Sequence, residues 1–306
     1  MVSPKRNLIF VFALAAFLLP ISQANSMVKV FACEPEWAAL AREIGGDRVT
    51  AFAATNARQD PHHIRARPSL VAKIRRANLV VCSGSGLEIG CLPLLLQRGG
   101  GSIQPGQVGN LMASHYVDVI EKPISLDRSL GDLHPEGNPH VHLDPNNIMT
   151  LARILQERLG LIDPAGKDHY ASRLKAFSVS WSTAQKGWKQ RVATFNAVPV
   201  IVHHKFWSYF IHWIGLREVG TLESKPGIPP SVKHLESLIA SIQENNVKAI
   251  LRTPYDDVKP SDWLANRTNI PVIEMPATVN SEARPGALVD FFDELLNKLE
   301  ASIGRR

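Results

Sequence analysis

The chain has 306 residues, of which 45% are hydrophobic and 20% are charged, an ordinary balance for a globular protein. Lysine and arginine number 34 against 28 acidic residues, so the formal net charge is only +6. A surplus this small, spread along the chain, argues against a nucleic-acid-binding protein.

The first 24 residues have the three-part layout of a secretory signal peptide. Two basic residues precede an apolar run over residues 8–20, and residues 22–24 (Ser-Gln-Ala) form a small-x-small cleavage site. The run is too short to cross a bilayer, and no later stretch approaches the roughly 20 apolar residues of a membrane helix. Because no cysteine follows the run closely, lipid attachment is not expected. We therefore predict a soluble periplasmic protein that starts near Asn25.

Residues 25–145 alternate short β-branched runs with amphipathic segments, which predicts an N-terminal α/β lobe. The predicted strands are Val28–Ala32, Arg48–Ala53 and Leu79–Cys82, and the predicted helices are Trp37–Ile44, Pro68–Arg76 and Leu87–Gln97.

Residues 146–196 are predicted to be helical and to connect two lobes. Asp144 and Pro145 provide an N-cap and a first-turn proline for a helix that runs through Leu159. A longer segment, from Lys167 to about Phe195, has apolar residues at helical spacing and is expected to be a stiff connector.

The strand–helix rhythm then restarts in a C-terminal lobe, residues 197–306. The overall prediction is an α/β fold of two similar lobes, each a parallel sheet flanked by helices, joined by one long connecting helix. The predicted strands are Val198–Val202, Glu218–Leu222, Lys248–Leu251 and Val272–Met275, and the predicted helices are Phe206–Ile214, Ser231–Gln243, Pro260–Ala265 and Leu288–Ile303.

The three cysteines are Cys33, Cys82 and Cys91. An odd number in an oxidising compartment allows one disulfide and one free thiol. Cys33 and Cys82 each end a strand-like run, so they are candidates for pairing across adjacent strands. Their spacing resembles neither a zinc ribbon nor a redox CxxC motif.

Six of the eleven histidines fall in three tight clusters in or beside predicted loops. Ligands of open parallel sheets bind outside the carboxyl ends of the strands, so clusters from two lobes are expected to converge in the cleft between them. The clusters are Asp60-Pro61-His62-His63, Asn138-Pro139-His140-Val141-His142 and His203-His204.

Three imidazoles together with a carboxylate or a water form a common zinc site. Isolated histidines, in contrast, are usually surface groups or satisfied core groups, and we interpret His115, His169, His212 and His234 in that way. Only one member of each adjacent pair needs to face a metal. The roles of His63, His142 and His203 therefore remain open between outer-shell, exposed and auxiliary positions.

Six segments in this order resemble the metal-binding receptors of bacterial zinc and manganese ABC transporters, the cluster A-I or cluster 9 solute-binding proteins. The resemblance covers essentially the whole mature chain. The segments are EIGGDRV, DPHHIRARPS, ANLVVCSGSGLEIG, NPHVHLDPNNI, HHKFWSYF and ESKPGIPPS.

The resemblance implies one metal ion, held by His62, His140 and His204 between two lobes. Trp207 and Tyr209 place the third ligand at His204 rather than at His203, because the family's ligand precedes its first aromatic by three residues. The implied function is that of a periplasmic receptor, a monomer and not an enzyme, which delivers Zn(II) to a membrane ABC transporter permease.

The sequence departs from the family pattern at the fourth ligand and in the loop before His140. No aspartate can be placed after the last strand, where Glu274 is the nearest carboxylate, so the fourth position is left to a water or another carboxylate. The loop over residues 131–137 is short and offers only His134 and Glu136 as metal-collecting groups. Cys91 stands where the family often has tryptophan.

Three imidazoles with at most one carboxylate favour zinc over manganese, which prefers more oxygen ligands. A manganese or iron receptor remains an alternative. A secreted zinc hydrolase would use a similar ligand set, but the chain has no HExxH motif. A receptor for a metal chelate or haem would need an aromatic cleft, for which Trp37, Phe206 and Trp207 are available.

Overall fold

The structure is a computed structural model that describes residues 27–124, 131, 134–280 and 284–304. The predicted signal peptide, residues 1–24, lies outside this part of the chain. Among the described residues, no helix is both long enough and apolar enough to cross a membrane.

The N-terminal sheet has four parallel strands in the order β2-β1-β3-β4. Short runs rich in β-branched residues form its buried centre. Each of the three helices has a proline in its first turn, where the fixed φ of proline suits a helix start. The strands are β1 (Val28–Ala32), β2 (Val49–Ala53), β3 (Leu79–Cys82) and β4 (Asn110–Met112), and the helices are α1 (Pro35–Gly45), α2 (Pro68–Ile74) and α3 (Leu92–Arg98).

The segment before α3 differs from the prediction, which began this helix at Leu87. The Glu88 carboxylate instead folds back and accepts hydrogen bonds from the backbone N–H groups of Ser83 and Gly84. Ser85 and Gly86 both have positive φ, so the chain turns here before the helix begins. The short strand β4 was not predicted, because three residues without a β-branched side chain carry no strand signal.

The two central helices are α4 (Pro145–Ile162) and α5 (Lys167–Val192), and a 3-10 turn extends α5 through Phe195. The Asp144 side chain caps α4 by accepting a hydrogen bond from the Asn146 N–H.

The helix α5 contacts helices at both of its ends. Near its start, His169 Nε2 lies 2.9 Å from the carbonyl oxygen of Gly45 in α1. Near its end, the Trp188 indole donates to Asp293 Oδ1 at 2.8 Å. The predicted long connecting helix is confirmed.

The C-terminal sheet repeats the topology of the first one, with four parallel strands in the order β6-β5-β7-β8. The predicted elements are present, although the helix expected at Pro260 begins earlier and ends later. The strands are β5 (Pro199–Val202), β6 (Arg217–Thr221), β7 (Ala249–Arg252) and β8 (Val272–Glu274), and the helices are α6 (Ser208–Ile214), α7 (Val232–Asn245), α8 (Val258–Thr268) and α9 (Ala287–Ile303).

One apolar core runs without interruption from the first lobe into the second. Trp37, Phe206 and Trp207 are all buried in it. These three side chains therefore pack the protein interior and do not form the open aromatic cleft that a chelate or haem receptor would need. A core shared between the lobes also opposes large lobe motions.

A disulfide joins Cys33, which follows β1, to Cys82 at the end of the adjacent strand β3. This confirms the pairing that the strand positions suggested. Cys91 is buried and carries a free thiol.

Candidate metal centre

The structure brings His62, His140 and His204 together between the lobes. One ring nitrogen of each lies within 4.8 Å of the other two. The ring centroid of His62 is 5.3 Å from that of His140 and 5.6 Å from that of His204. The chain segments that follow β2 and β5 supply two of these residues, and the segment that leads into α4 supplies the third.

His62 is oriented by the aspartate two residues before it. The Asp60 carboxylate accepts a hydrogen bond from the backbone N–H of His62 at 2.9 Å and another from its ring Nδ1 at 2.7 Å. These bonds outweigh burial and hold the pKa of Asp60 below its ordinary value. Because an ionised carboxylate can only accept, Nδ1 carries the proton and the Nε2 lone pair is available for a metal.

His204 is held in the same way by a carboxylate of its own lobe. Its ring Nδ1 lies 2.7 Å from Glu223 Oε2, which also accepts a hydrogen bond from the backbone N–H of Gly227. Burial acts to lower the pKa of His204, but the bond to Glu223 prevails and raises it. The Nε2 atom of His204 is thus left free to coordinate.

His140 has no such partner. Its side chain is buried, and neither ring nitrogen forms a hydrogen bond with any of the described residues. Its ring packs 4.3 Å from that of Phe206, and its backbone N–H donates to Asn138 Oδ1. Burial, followed by the nearby charges of His62 and His204, holds the pKa of His140 well below its ordinary value. A buried imidazole without a partner needs an explanation, and a metal ion would provide one.

The neighbours of the three histidines have different surroundings. The side chain of His63 is 72% exposed, and its nearest carboxylate oxygen, on Asp60, is 3.6 Å away. His203 is buried at the edge of the cavity beside the site. His142 lies between the lobes, where Nδ1 is 3.3 Å from Glu36 Oε1 and Nε2 bonds to the carbonyl oxygen of Ala277. Its Nε2 is therefore engaged away from the cluster.

Glu274, the carboxylate considered for the fourth position, and His134, considered as a metal-collecting group, lie in different places. Glu274 pairs with Arg252 at 3.0 Å and lines a separate cavity. His134 enters the site, with its Nε2 3.1 Å from Nε2 of His62. Burial, followed by the charge of His62, lowers the pKa of His134 to about 4.

Sequence reasoning missed Asp256, which lines a cavity of about 380 Å³ together with His203, His204 and Tyr255. Its carboxylate accepts a hydrogen bond from the backbone N–H of Thr253, yet burial raises its pKa. A usable signal was present, because Asp256 follows the carboxyl end of β7 just as His203 follows that of β5.

Several curated proteins are similar to this chain over most of its length. A metal ABC transporter substrate-binding lipoprotein, ScbA of Streptococcus cristatus, is 24% identical over 258 residues, which are 81% of this chain and 79% of that protein. A manganese ABC transporter substrate-binding lipoprotein, PsaA of Streptococcus anginosus, is 24% identical with the same coverage.

Solved structures share the fold. A crystal structure of ZnuA superposes with a TM-score of 0.75 at 21% identity, covering 90% of this chain and 99% of that one. The cadmium-bound periplasmic metal-binding protein of Candidatus Liberibacter asiaticus gives a TM-score of 0.71 at 17% identity, with 89% and 98% covered.

The family model described as "Zinc-uptake complex component A periplasmic", ZnuA, matches residues 30–302. This match spans both sheets and all three of the histidines that meet between the lobes. The chain therefore belongs to the ZnuA family of metal-binding, substrate-binding proteins of ABC transporters.

Proposed function

We propose that this chain is a periplasmic receptor that binds one Zn(II) ion through His62, His140 and His204 and delivers it to a membrane ABC transporter permease. The observation that carries the proposal is the His140 ring, buried with two unpartnered nitrogens and facing two other imidazoles. A buried polar group of this kind costs about 1–3 kcal/mol unless something binds it. A metal ion held by all three rings would remove that cost.

Zinc suits the donors better than manganese does, although PsaA of Streptococcus anginosus is named for manganese. Manganese prefers oxygen ligands and lies at the bottom of the affinity order of the divalent metals. The two carboxylates nearest to the cluster, Asp60 and Glu223, are engaged with the Nδ1 atoms of His62 and His204. They therefore support imidazole ligands instead of replacing them.

The same arrangement favours a receptor over a hydrolase. A zinc hydrolase needs a general base beside a metal-bound water. Asp60 and Glu223 each hold a ring in place, a role that suits ion capture. We further infer that the mature chain begins near Asn25, after removal of a signal peptide, and acts as a monomer on the permease.

Competition with a chromophoric chelator tests the choice of metal. Metal-free protein, prepared by dialysis against a chelator, is titrated with Zn(II) and with Mn(II) in parallel. We expect one ion per chain and a zinc affinity at least about a hundredfold higher, or about 2.8 kcal/mol. Equal or tighter manganese binding would replace the zinc assignment with the manganese alternative. Turnover of generic esters or phosphoesters by the zinc form would contradict the receptor assignment.

A further inference from the structure

His134 lies in the loop before α4 and inserts its ring into the cleft from the side of the N-terminal lobe. Its Nε2 is 3.1 Å from Nε2 of His62, and the two ring centroids are 5.2 Å apart. On the other side of the ring, Nδ1 is 3.1 Å from the backbone carbonyl oxygen of Ser85. The ring is therefore held by a hydrogen bond at Nδ1 and faces the His62 ring at Nε2.

The partners of the two rings decide which nitrogens carry protons. The carbonyl of Ser85 can only accept a hydrogen bond, so Nδ1 of His134 is the donor. The carboxylate of Asp60 likewise makes Nδ1 of His62 the donor. A neutral imidazole has one N–H, which leaves a lone pair on each Nε2. The two Nε2 atoms thus face each other with two lone pairs, and a cation between them would turn that repulsion into attraction.

The spacing between the Nε2 atoms of His134 and His62 matches one edge of a tetrahedral zinc site. Zinc–nitrogen bonds are about 2.0–2.1 Å long and tetrahedral, so neighbouring ligand atoms lie about 3.3 Å apart. The observed 3.1 Å is close to that edge length. The other candidate, Glu274, pairs with Arg252 at a different cavity.

We propose that His134 is the fourth ligand, so that the transported ion is held by four imidazoles. This proposal rests on the function proposed above. Three of the four ligands then belong to the N-terminal lobe, and a nitrogen atom takes the position that a water or a carboxylate would otherwise fill. An all-imidazole shell suits zinc and disfavours manganese, calcium and magnesium, which bind through oxygen.

X-ray absorption at the zinc edge counts the imidazoles directly. The wild-type zinc complex is compared with His134→Ala, and His63→Ala is the matched control because that ring is adjacent to the site but largely exposed. We expect four nitrogen ligands in the wild type and in His63→Ala, and three nitrogens with one oxygen in His134→Ala. The affinity of His134→Ala should fall at least about tenfold, the lower end of what even an outer-shell partner of a metal ligand contributes.

The outcomes separate this proposal from the function on which it rests. A wild-type spectrum with three imidazoles, or a His134→Ala variant with unchanged spectrum and affinity, overturns the fourth ligand and leaves the receptor function standing. Failure of the wild type to bind zinc overturns both proposals. The wild-type spectrum decides the question even if the variant does not fold.

Discussion

The two lobes have the same strand order but contribute unequally to the cleft between them. The N-terminal lobe brings His62 and His134, with His140 on the segment that leaves it for α4, whereas the C-terminal lobe brings His204. All three cysteines lie in the N-terminal lobe, where a disulfide joins β1 and β3 at their carboxyl ends. Under the proposed function, one lobe would pre-form the metal site and the other would complete it.

The ligand supports show a second contrast. His62 and His204 each have a carboxylate from their own lobe, at the same distance of 2.7 Å. His140, which lies between them in the chain, has a buried ring with no hydrogen-bonding partner in the part of the chain that the structure describes. The two supported rings are oriented by the protein itself, whereas under the proposed function His140 would gain a partner from the metal.

The largest expected effect follows from this contrast. His140→Leu removes a proposed ligand together with two unsatisfied buried nitrogens, and it puts an apolar side chain of similar size in their place. Zinc affinity should fall at least about a thousandfold, or about 4.1 kcal/mol, while the metal-free protein stays as stable as the wild type or becomes more stable. Chelator competition and urea unfolding measure the two quantities. A variant that is destabilised without metal would mean that His140 has a structural role.

Removal of the disulfide tests whether the N-terminal lobe is pre-organised. Cys33→Ala with Cys82→Ala opens a loop of 49 residues, so the free energy of unfolding should fall by about 2–4 kcal/mol. Zinc affinity should fall as well, because the disulfide joins β1 and β3 at the carboxyl edge of the sheet, where ligands of parallel sheets bind. Substitution of the free thiol, Cys91→Ala, is the control for cavity effects. Lower stability with unchanged zinc affinity would show that the pre-formed lobe does not depend on this bond.

The strands and the three histidines could be predicted because their signals are local. Val28–Ala32 and Leu79–Cys82 are buried runs rich in β-branched residues, His203 and His204 directly follow β5, and His62 and His140 each follow a proline. The start of α3 could not be predicted, because Glu88 reverses a helical pattern by bonding to the N–H groups of Ser83 and Gly84. These hydrogen bonds form only once the chain has turned at Ser85 and Gly86, so the helical pattern of the sequence does not reveal them.

The position of the His134 ring could not be predicted from the sequence either. Its ring is placed by Ser85, which is 49 residues away in the chain, and by the His62 ring, which is 72 residues away. Asp256 differs, because its position after the predicted strand β7 could be read from the sequence. A single acidic residue in a loop, however, is weak evidence for a site residue when its spatial neighbours are unknown. Loop contacts of this kind are set by tertiary structure and not by local pattern.

Substitution of the two supporting carboxylates compares the lobes directly. Asp60→Asn and Glu223→Gln should each weaken zinc binding by about tenfold, or about 1.4 kcal/mol, because the amide no longer fixes the ring with a charged acceptor. If one lobe pre-forms the site, the loss should be smaller for Asp60→Asn, since His134 and His140 come from the same lobe as His62. Isothermal titration with zinc provides both values. A larger loss for Asp60→Asn would reverse the assigned roles of the lobes.

The smallest expected effect concerns a buried pair of carboxyl groups behind the site in the N-terminal lobe. Glu34 and Glu88 both accept from the Ser83 N–H, and burial raises the pKa of Glu88 to about 7. The folded chain therefore binds more protons than the unfolded chain between the ordinary pKa of this carboxyl and about pH 7. Stability without metal should fall as the pH rises through that window.

Glu88→Gln should flatten this pH dependence, as followed by urea unfolding of metal-free protein at several pH values. Glu236→Gln, on the exposed face of α7, serves as the control and should leave the slope unchanged. A slope that is the same in Glu88→Gln and the wild type would mean that Glu88 is ionised in the folded chain.

Anomalous diffraction from crystals of the zinc-loaded protein, recorded at the zinc absorption edge, tests the central claim most directly. We expect one strong peak per chain between the lobes, about 2.0–2.1 Å from a ring nitrogen of each of His62, His140 and His204. A peak elsewhere on the chain, or a cleft with no peak while zinc is bound in solution, would contradict the account.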